Sequence, residues 1–564
     1  METVLFVKIL RNYKLWFVFT LFVLALACKK KEVAKKEEPT PPPLEEPPVT
    51  PPPTPPANNT ALVYTDVSGK LAYNTFANQG EIDKINTVPD FSNAGYKGGG
   101  VAIPTAPVVR TLSPQLGDNR ARIQQVISEV EALPVDANGF RGAILLNAGT
   151  YDVADSLVIR ASGVVLRGVG QGASGTILRA TKRLIGSTLI RVQGSGSNLG
   201  EVTSSRRLIS DSYVPTGAKS FNLENTNGLT VGSRVLVTRT PNQAWIDLLE
   251  MTQYGWTPSR YVMSYERVIT AISGNNITIN APIVDPIQTR YGGGRVGIHS
   301  VSGRIQNSGV ENMRLVSVFE NDNDEQHAWY GVKLLRAENC WVKDVTAQYF
   351  GYACVSIEES SVYNTVQDCA MLDPKSQTIG GRKYSFNIAG TSPFNLFQRC
   401  FSRGGRHCYV TGSTVPGPNV FLDCVAVETT SDIGPHHRWS TGLLFDNVFG
   451  GQIRVQNRGA SGSGHGWAGA QTMFWNCRST RVDIMVQSPA AARNWGVGNI
   501  ALTFAGNGYF ESNNIHVQPR SLYLTQLKDR LGDAAVNNVT IPAQRMGSIS
   551  SQLQTWAGEG PFNP

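Results

Sequence analysis

Five of the seven histidines in this chain stand just ahead of short apolar segments, among arginine, lysine, tyrosine and tryptophan. His327, Trp329 and Tyr330 precede Gly331-Val-Lys-Leu, and Tyr349, Phe350 and Tyr352 precede Cys354-Val-Ser-Ile. Arg382, Lys383 and Tyr384 precede Phe386-Asn-Ile, and Arg406 and His407 precede Tyr409-Val. His436, His437, Arg438 and Trp439 precede Gly442-Leu-Leu, and His465 and Trp467 precede Gln471-Thr-Met. Solvated turns favour Asp, Asn, Ser and Gly. Imidazole, guanidinium and indole recurring at one phase therefore point to a surface that does something.

These residue types suit an acidic sugar chain. Aromatic rings stack on sugar faces, and cations hold acidic substituents. Cleaving a uronate polymer by β-elimination needs a cation on the carboxylate, a base for the C5 proton and an acid for the leaving oxygen. Arg406 and Arg438 can hold the carboxylate, since a guanidinium grips it with two parallel bonds. His407 or His437 fits the base, because imidazole titrates near neutrality. Tyr384 or Lys383 fits the acid or charge stabiliser. His327, Trp329, Tyr352, His436, Trp439, His465 and Trp467 are left as substrate-binding residues. Glu320, Asp322, Asp324 and Glu325 form the acidic cluster near this stripe. Asp322, Asp324 and Glu325 offer hard oxygen ligands that could bind Ca²⁺, and a solvated polar loop is the alternative reading of the same residues. No Cys/His spacing of a zinc site stands out, and neither a P-loop nor a dinucleotide fingerprint is present.

A repeat positions these residues. Val342-Lys-Asp-Val345, Val366-Gln-Asp-Cys369, Phe397-Gln-Arg-Cys400, Phe421-Leu-Asp-Cys424 and Phe474-Trp-Asn-Cys477 share one pattern, with final residues 24, 31, 24 and 53 positions apart. Self-similarity at such a period marks a solenoid. Equal phases stack, so Cys369, Cys400, Cys424 and Cys477 are expected as rungs of an internal ladder. Lys383 and His407 share the 24-residue interval, which stacks the reactive residues too. Ahead of the repeat, Arg120 to Leu133 places Ile123, Val126, Ile127, Val130 and Leu133 on one helical face. Short strands follow at 142–151, 156–159, 164–168 and 176–178, separated by Gly, Asp and Ser turns.

Gly117-Asp118-Asn119, the amphipathic helix, Ala148-Gly149-Thr150-Tyr151 and Leu166-Arg167-Gly168-Val169-Gly170 together resemble the start of the pectate-lyase superfamily. The resemblance implies an all-β right-handed parallel β-helix behind an N-terminal cap helix. It does not choose a reaction, because that superfamily holds lyases, hydrolases, epimerases and tail spikes. Its polygalacturonase-type hydrolases carry an Asp pair, a Gly-His-Gly and an Arg-Ile-Lys. Gly464-His465-Gly466 is present here, without the Asp pair or the Arg-Ile-Lys. Hydrolysis requires paired carboxylates, so a lyase is the leading expectation. A hydrolase of the same fold or a non-catalytic glycan binder remain the alternatives.

Composition agrees. In 564 residues there are 56 glycines, 31 prolines and 17% charged residues, a profile of turns and strands rather than helices. Eight cysteines are too few for a disulfide scaffold of this length. The net charge of +8 suits an acidic partner. Nucleic acid is not expected, and a monomer is. At the N-terminus, Lys8, Arg11 and Lys14 precede an apolar run from Leu15 to Ala27, too short to span a membrane and right for a signal peptide. Ala25-Leu26-Ala27-Cys28 resembles a bacterial lipobox, which implies lipidation of Cys28 and an outer-membrane or cell-surface anchor. Simple cleavage would also export the chain. The expected divisions are the leader to residue 28, a Pro-rich stalk over 29–58, cap and first coils over 59–185, a β insertion over 186–300, the coil with its site over 301–520, and a C-terminal cap over 521–564.

Overall fold

The computed structural model describes residues 60–196, 200–481 and 483–564. The leader, Cys28 and the Pro-rich stalk lie outside the described residues. The body is a right-handed parallel β-helix, as expected.

The repeat is explained by backbone geometry. Its polar position is Asn312, Asp344, Asp368, Arg399, Asp423, Asn447 and Asn476 in successive coils, and all seven have φ between 48° and 56°. Asn and Asp visit this left-handed region more readily than other side chains. One such residue kinks the chain between two short strands, as Asp368 does between Thr365–Gln367 and Ala370–Leu372. The following residue then points inward, and Met313, Val345, Cys369, Cys400, Cys424, Val448 and Cys477 are all buried. The expected thiol ladder is present, its cysteines free rather than bridged. Arg399 is the odd member at the kink. Its guanidinium donates to both Asp368 carboxylate oxygens, at 2.6 and 2.8 Å, and to Gln544.

Parallel register stacks like on like. Phe397, Phe421, Phe445 and Phe474 lie directly above one another, with ring centroids 5.1, 5.0 and 5.3 Å apart. At another turn the Asn364 amide donates to Asn395, and Asn395 to Asn419. Asp344 shows what the ladder costs. Burial and the neighbouring Asp368 carboxylate push its carboxyl up to about 7. The folded chain thus keeps a proton that the unfolded chain releases near pH 4. Stability on this account falls as pH rises from about 4 to 7, and stays low above. Asp344→Asn keeps the left-handed turn and removes that fall. It should raise stability at pH 8 by roughly 1–3 kcal/mol and hardly change it at pH 4, read from urea midpoints at the two pH values.

The start of the insertion and the place of the C-terminal helices differ from expectation. Helix Arg120–Glu131 buries Ile123, Val126, Ile127 and Val130 against the first coil, as expected of a cap. The insertion, however, begins after Gln193, not at 186, because Ser187–Gln193 pairs in parallel with Leu157–Ile159 and Ala328–Leu335. Its antiparallel strands include Arg234–Arg239, Met263–Ser273, Asn276–Ile279 and Gly294–Ile298. Within it, helix Gln243–Leu248 and short 3₁₀ turns gather around buried Trp245, Trp256 and Tyr261. The C-terminal helices do not cap the far end. Leu522–Leu531 lies on Leu396, Val420, Leu444 and Met473 from successive coils, and Ile549, Leu553 and Trp556 cover Ala370, Phe401 and Val425. The outer faces of these strands are apolar, so the chain returns along the flank to bury them.

Candidate functional site

The stripe grows from one ten-stranded parallel sheet. Register sets Tyr330 beside Ala353, and Tyr384 beside His407. Tyr352 precedes that column by one residue. Its rings form a continuous run, with centroids 4.7 Å apart for Tyr330–Tyr352, 4.8 Å for Tyr352–Tyr384 and 5.3 Å for Tyr384–His407. Strand Asp432–Pro435 ends at His436 and His437, and the loop after Gln452–Val455 brings in His465. His407–His436 centroids are 4.0 Å apart, His436–His437 4.6 Å, and His437–His465 4.6 Å. Four imidazoles and a phenol thus meet at one point, from segments up to 81 residues apart in sequence.

Their environment keeps the rings neutral. Burial pushes His407 down to about 4 and His437 down to about 3, with the neighbouring arginines adding to the effect. His436 and His465 shift the same way for the same reason. The His407 Nδ1 lies 2.7 Å from the Asp432 carbonyl oxygen. A carbonyl can only accept, so Nδ1 carries the proton and Nε2 holds the lone pair. That Nε2 has no hydrogen-bond partner. Burial alone would raise Asp432, but the Arg458 guanidinium bonded to it holds its carboxyl below the usual range. Burial raises the Tyr384 phenol, and Arg406 beside it works in the opposite direction. The Tyr384 hydroxyl and the Arg406 guanidinium lie against one another, with the Gly381 backbone beside the phenol. Arg438 donates to Ser463 Oγ at 2.7 Å, tying the two histidine-bearing loops together.

Several expected site residues are employed elsewhere. His327 is fully buried, and both ring nitrogens are taken, by Ser317 Oγ and the Lys375 carbonyl, each at 2.8 Å. It is a packing residue, not a sugar contact. Trp329 donates to the Glu325 carbonyl at 3.1 Å and lies under the Arg382 guanidinium. Trp439 is 1% exposed, and its indole N–H reaches Asp285 in the insertion at 2.9 Å. Its ring meets Trp245 edge-on at 4.7 Å, which takes it out of the stripe. Half-buried Trp467 packs on the same insertion core and donates to the Leu249 carbonyl. Lys383 turns away from the imidazoles. Its ammonium donates to Thr378 Oγ1 at 3.0 Å, and burial and nearby Lys375 lower its pKa. Left-handed φ at Lys383 sends it and Tyr384 in different directions.

The acidic cluster is paired with protein cations. Asp322 pairs with Lys375 at 2.9 Å, Asp324 with Arg183 at 2.7 Å, and Glu325 with Arg382 at 2.7 Å. Each carboxylate is neutralised by its own cation and clamps a loop. Arg458 and Tyr330 were not picked out as site residues in the sequence. Tyr330 was visible at the right phase, but Arg458 comes from a strand end that carries no aromatic or histidine.

The fold and site define a class: a right-handed parallel β-helix protein with an outward stripe of tyrosine and histidine among arginines. No family model and no curated protein matches the chain. Similar solved structures include the tailspike protein gp49 from Pseudomonas phage LKA1, at 14% identity over 71% of this chain and 74% of that one, with a TM-score of 0.38. A polygalacturonase from Erwinia carotovora ssp. carotovora matches at 10% identity over 74% and 97%, with a TM-score of 0.33. An alginate lyase from Paenibacillus sp. matches at 9% over 72% and 99%, with a TM-score of 0.33. At that distance these likenesses say nothing about which reaction this chain performs.

Proposed function

We propose that the chain acts on an acidic polysaccharide, and that it cleaves a uronate-containing glycan by β-elimination. The observation that carries this reading is the convergence at the stripe of the free His407 Nε2, the Tyr384 hydroxyl and the Arg406 guanidinium beside it. In the proposed reaction Arg406 and Arg438 take the uronate carboxylate, which acidifies the C5 proton. His407, held by Asp432 in the tautomer with a free Nε2, accepts that proton. Tyr384 gives its proton to the departing glycosidic oxygen, the bond to C4 breaks, and a C4–C5 double bond forms. An arriving carboxylate also raises the basicity of the neighbouring imidazoles, since it supplies the negative charge their surroundings lack. Tyr330 and Tyr352, partly exposed along the stripe, are placed to contact flanking sugars. His407 and Tyr384 are buried here, so a productive complex requires side chains to part when the sugar binds.

Hydrolysis is supported less well. The one carboxylate in the cluster, Asp432, is buried and bound to Arg458, and no second free carboxylate faces it among the described residues. We also read the body as exported, monomeric and anchored through Cys28, where it would meet such a polymer outside the cell. Incubation with a panel of uronate polysaccharides tests the reaction. Elimination gives unsaturated ends that absorb ultraviolet light, hydrolysis gives reducing ends without that absorbance, and a binder gives neither. Reducing ends alone, or no new ends from any uronate polymer, would reject the lyase reading.

A further inference from the structure

Beyond the His407–Tyr384 pair, the cluster holds lone pairs that the proposed elimination does not use. His436, His437 and His465 each place one ring nitrogen within 4.8 Å of the other two. His436 is only 6% exposed, and its Nδ1 has no hydrogen-bond partner. The His465 Nδ1 is buried and unpartnered as well. Buried polar atoms are nearly always satisfied, so convergent bare imidazole nitrogens ask for an electrophile. The surroundings are built to hold these rings. A Cβ on Gly462 would lie 2.4 Å from His465 Nε2, so only glycine lets the imidazole sit where it does. The Arg438–Ser463 bond fixes the His436–His437 turn against the His465 loop.

We propose that His436, His437 and His465 bind a divalent transition-metal ion of the zinc class. Three imidazoles with no carboxylate select such an ion over calcium or magnesium, which take oxygen ligands. Zinc–nitrogen bonds of about 2.0–2.1 Å bring tetrahedral ligand atoms to roughly 3.4 Å apart. The rings therefore close inward by about an ångström on binding, a movement that side-chain rotation supplies. Arg458 is neutralised by Asp432, which leaves Arg438 as the cation on the adjoining loop. Its charge disfavours ions held by Coulomb attraction and spares those held by nitrogen donation. Three protein ligands leave a fourth position open, toward which a sugar carboxylate or hydroxyl oxygen could coordinate. Linear spacing hides the site, because two ligands are adjacent and the third arrives 28 residues later on another coil.

The test uses the full chain, stripped with a chelator, equilibrated with Zn²⁺ or Co²⁺ and freed of excess by gel filtration. Mass spectrometry should find one retained equivalent. The cobalt form should show the intense visible bands of a four-coordinate site, and metal should raise the thermal midpoint. The double variant His436→Ala/His465→Ala should retain roughly tenfold less metal, while His327→Gln retains the wild-type amount. Loss of retention in wild type, equal retention in the double variant, or a cobalt spectrum like that of the aqueous ion would each overturn the proposal. The cobalt spectrum needs only the wild-type chain, so it decides even where the variant misfolds. None of these readouts depends on glycan cleavage: metal bound without elimination would reject the proposed reaction and leave this site standing.

Discussion

Tyr384→Phe is expected to lower kcat for uronate cleavage by about 10²–10⁴-fold while KM changes little. Only the hydroxyl is lost. The ring keeps its contacts with Tyr352, His407 and His436, at centroid distances of 4.8, 5.3 and 5.6 Å. That hydroxyl lies beside Arg406 and the Gly381 backbone, so its removal should cost only about 1 kcal/mol of stability. A structural role predicts the reverse pattern, with stability lost and kcat kept. His407→Ala should cost a comparable factor, and the double variant little more, because base and acid serve one step. Retention of kcat within threefold in Tyr384→Phe would remove the phenol from the reaction. The comparison is made by initial rates of ultraviolet absorbance on whichever uronate polymer is cleaved.

Trp439→Ala should destabilise the fold by about 3–5 kcal/mol, the largest effect expected of a single substitution here. The indole is a keystone. It is carried by the loop between strands Asp432–Pro435 and Ser440–Asp446 of the coil, yet it packs into the insertion against Trp245 and Trp256. Its N–H satisfies Asp285, whose carboxyl burial already pushes up. Truncation leaves both a cavity and an underserved acid, with Tyr265 and Arg239, the latter 3.7 Å away, as its remaining partners. Trp439→Phe fills most of the cavity and should cost about half as much, since chiefly the hydrogen bond is lost. Denaturant midpoints measure both. The histidines at 436 and 437 sit on the same loop, so the alanine variant should also lose cleavage activity, whereas a change below 1 kcal/mol would show that the insertion is not anchored here.

The coil was legible because parallel in-register stacking forces every turn to reuse the same residue types. Asp368, Asp423 and Asn476 stand at equal phases because each must adopt the same left-handed kink, and the cysteines after them because each must fill the same interior slot. The stripe was legible for the same reason, with Tyr384 and His407 paired across adjacent strands. The direction of each side chain was not. Neighbours in sequence separate sharply: His437 stays with the imidazoles while Trp439 dives into the insertion, and Tyr384 meets the imidazoles while Lys383 leaves them. Turn residues have individual φ and ψ values, so periodicity fixes where they are and not where they point. The pairing of the acidic cluster was not legible for a related reason, since its cationic partners Arg183, Lys375 and Arg382 lie on other coils.

By itself, then, the sequence determined the solenoid, its period, its buried thiol ladder and the phase at which imidazole, phenol and guanidinium collect. These are properties repeated from coil to coil, and repetition survives in one dimension. Tertiary structure alone decided that Trp439 braces the insertion, that the C-terminal helices sheathe the flank, and that His436, His437 and His465 converge. Each of those depends on a single non-repeating contact between distant segments, and such contacts exist only once loops of unequal length have closed in space.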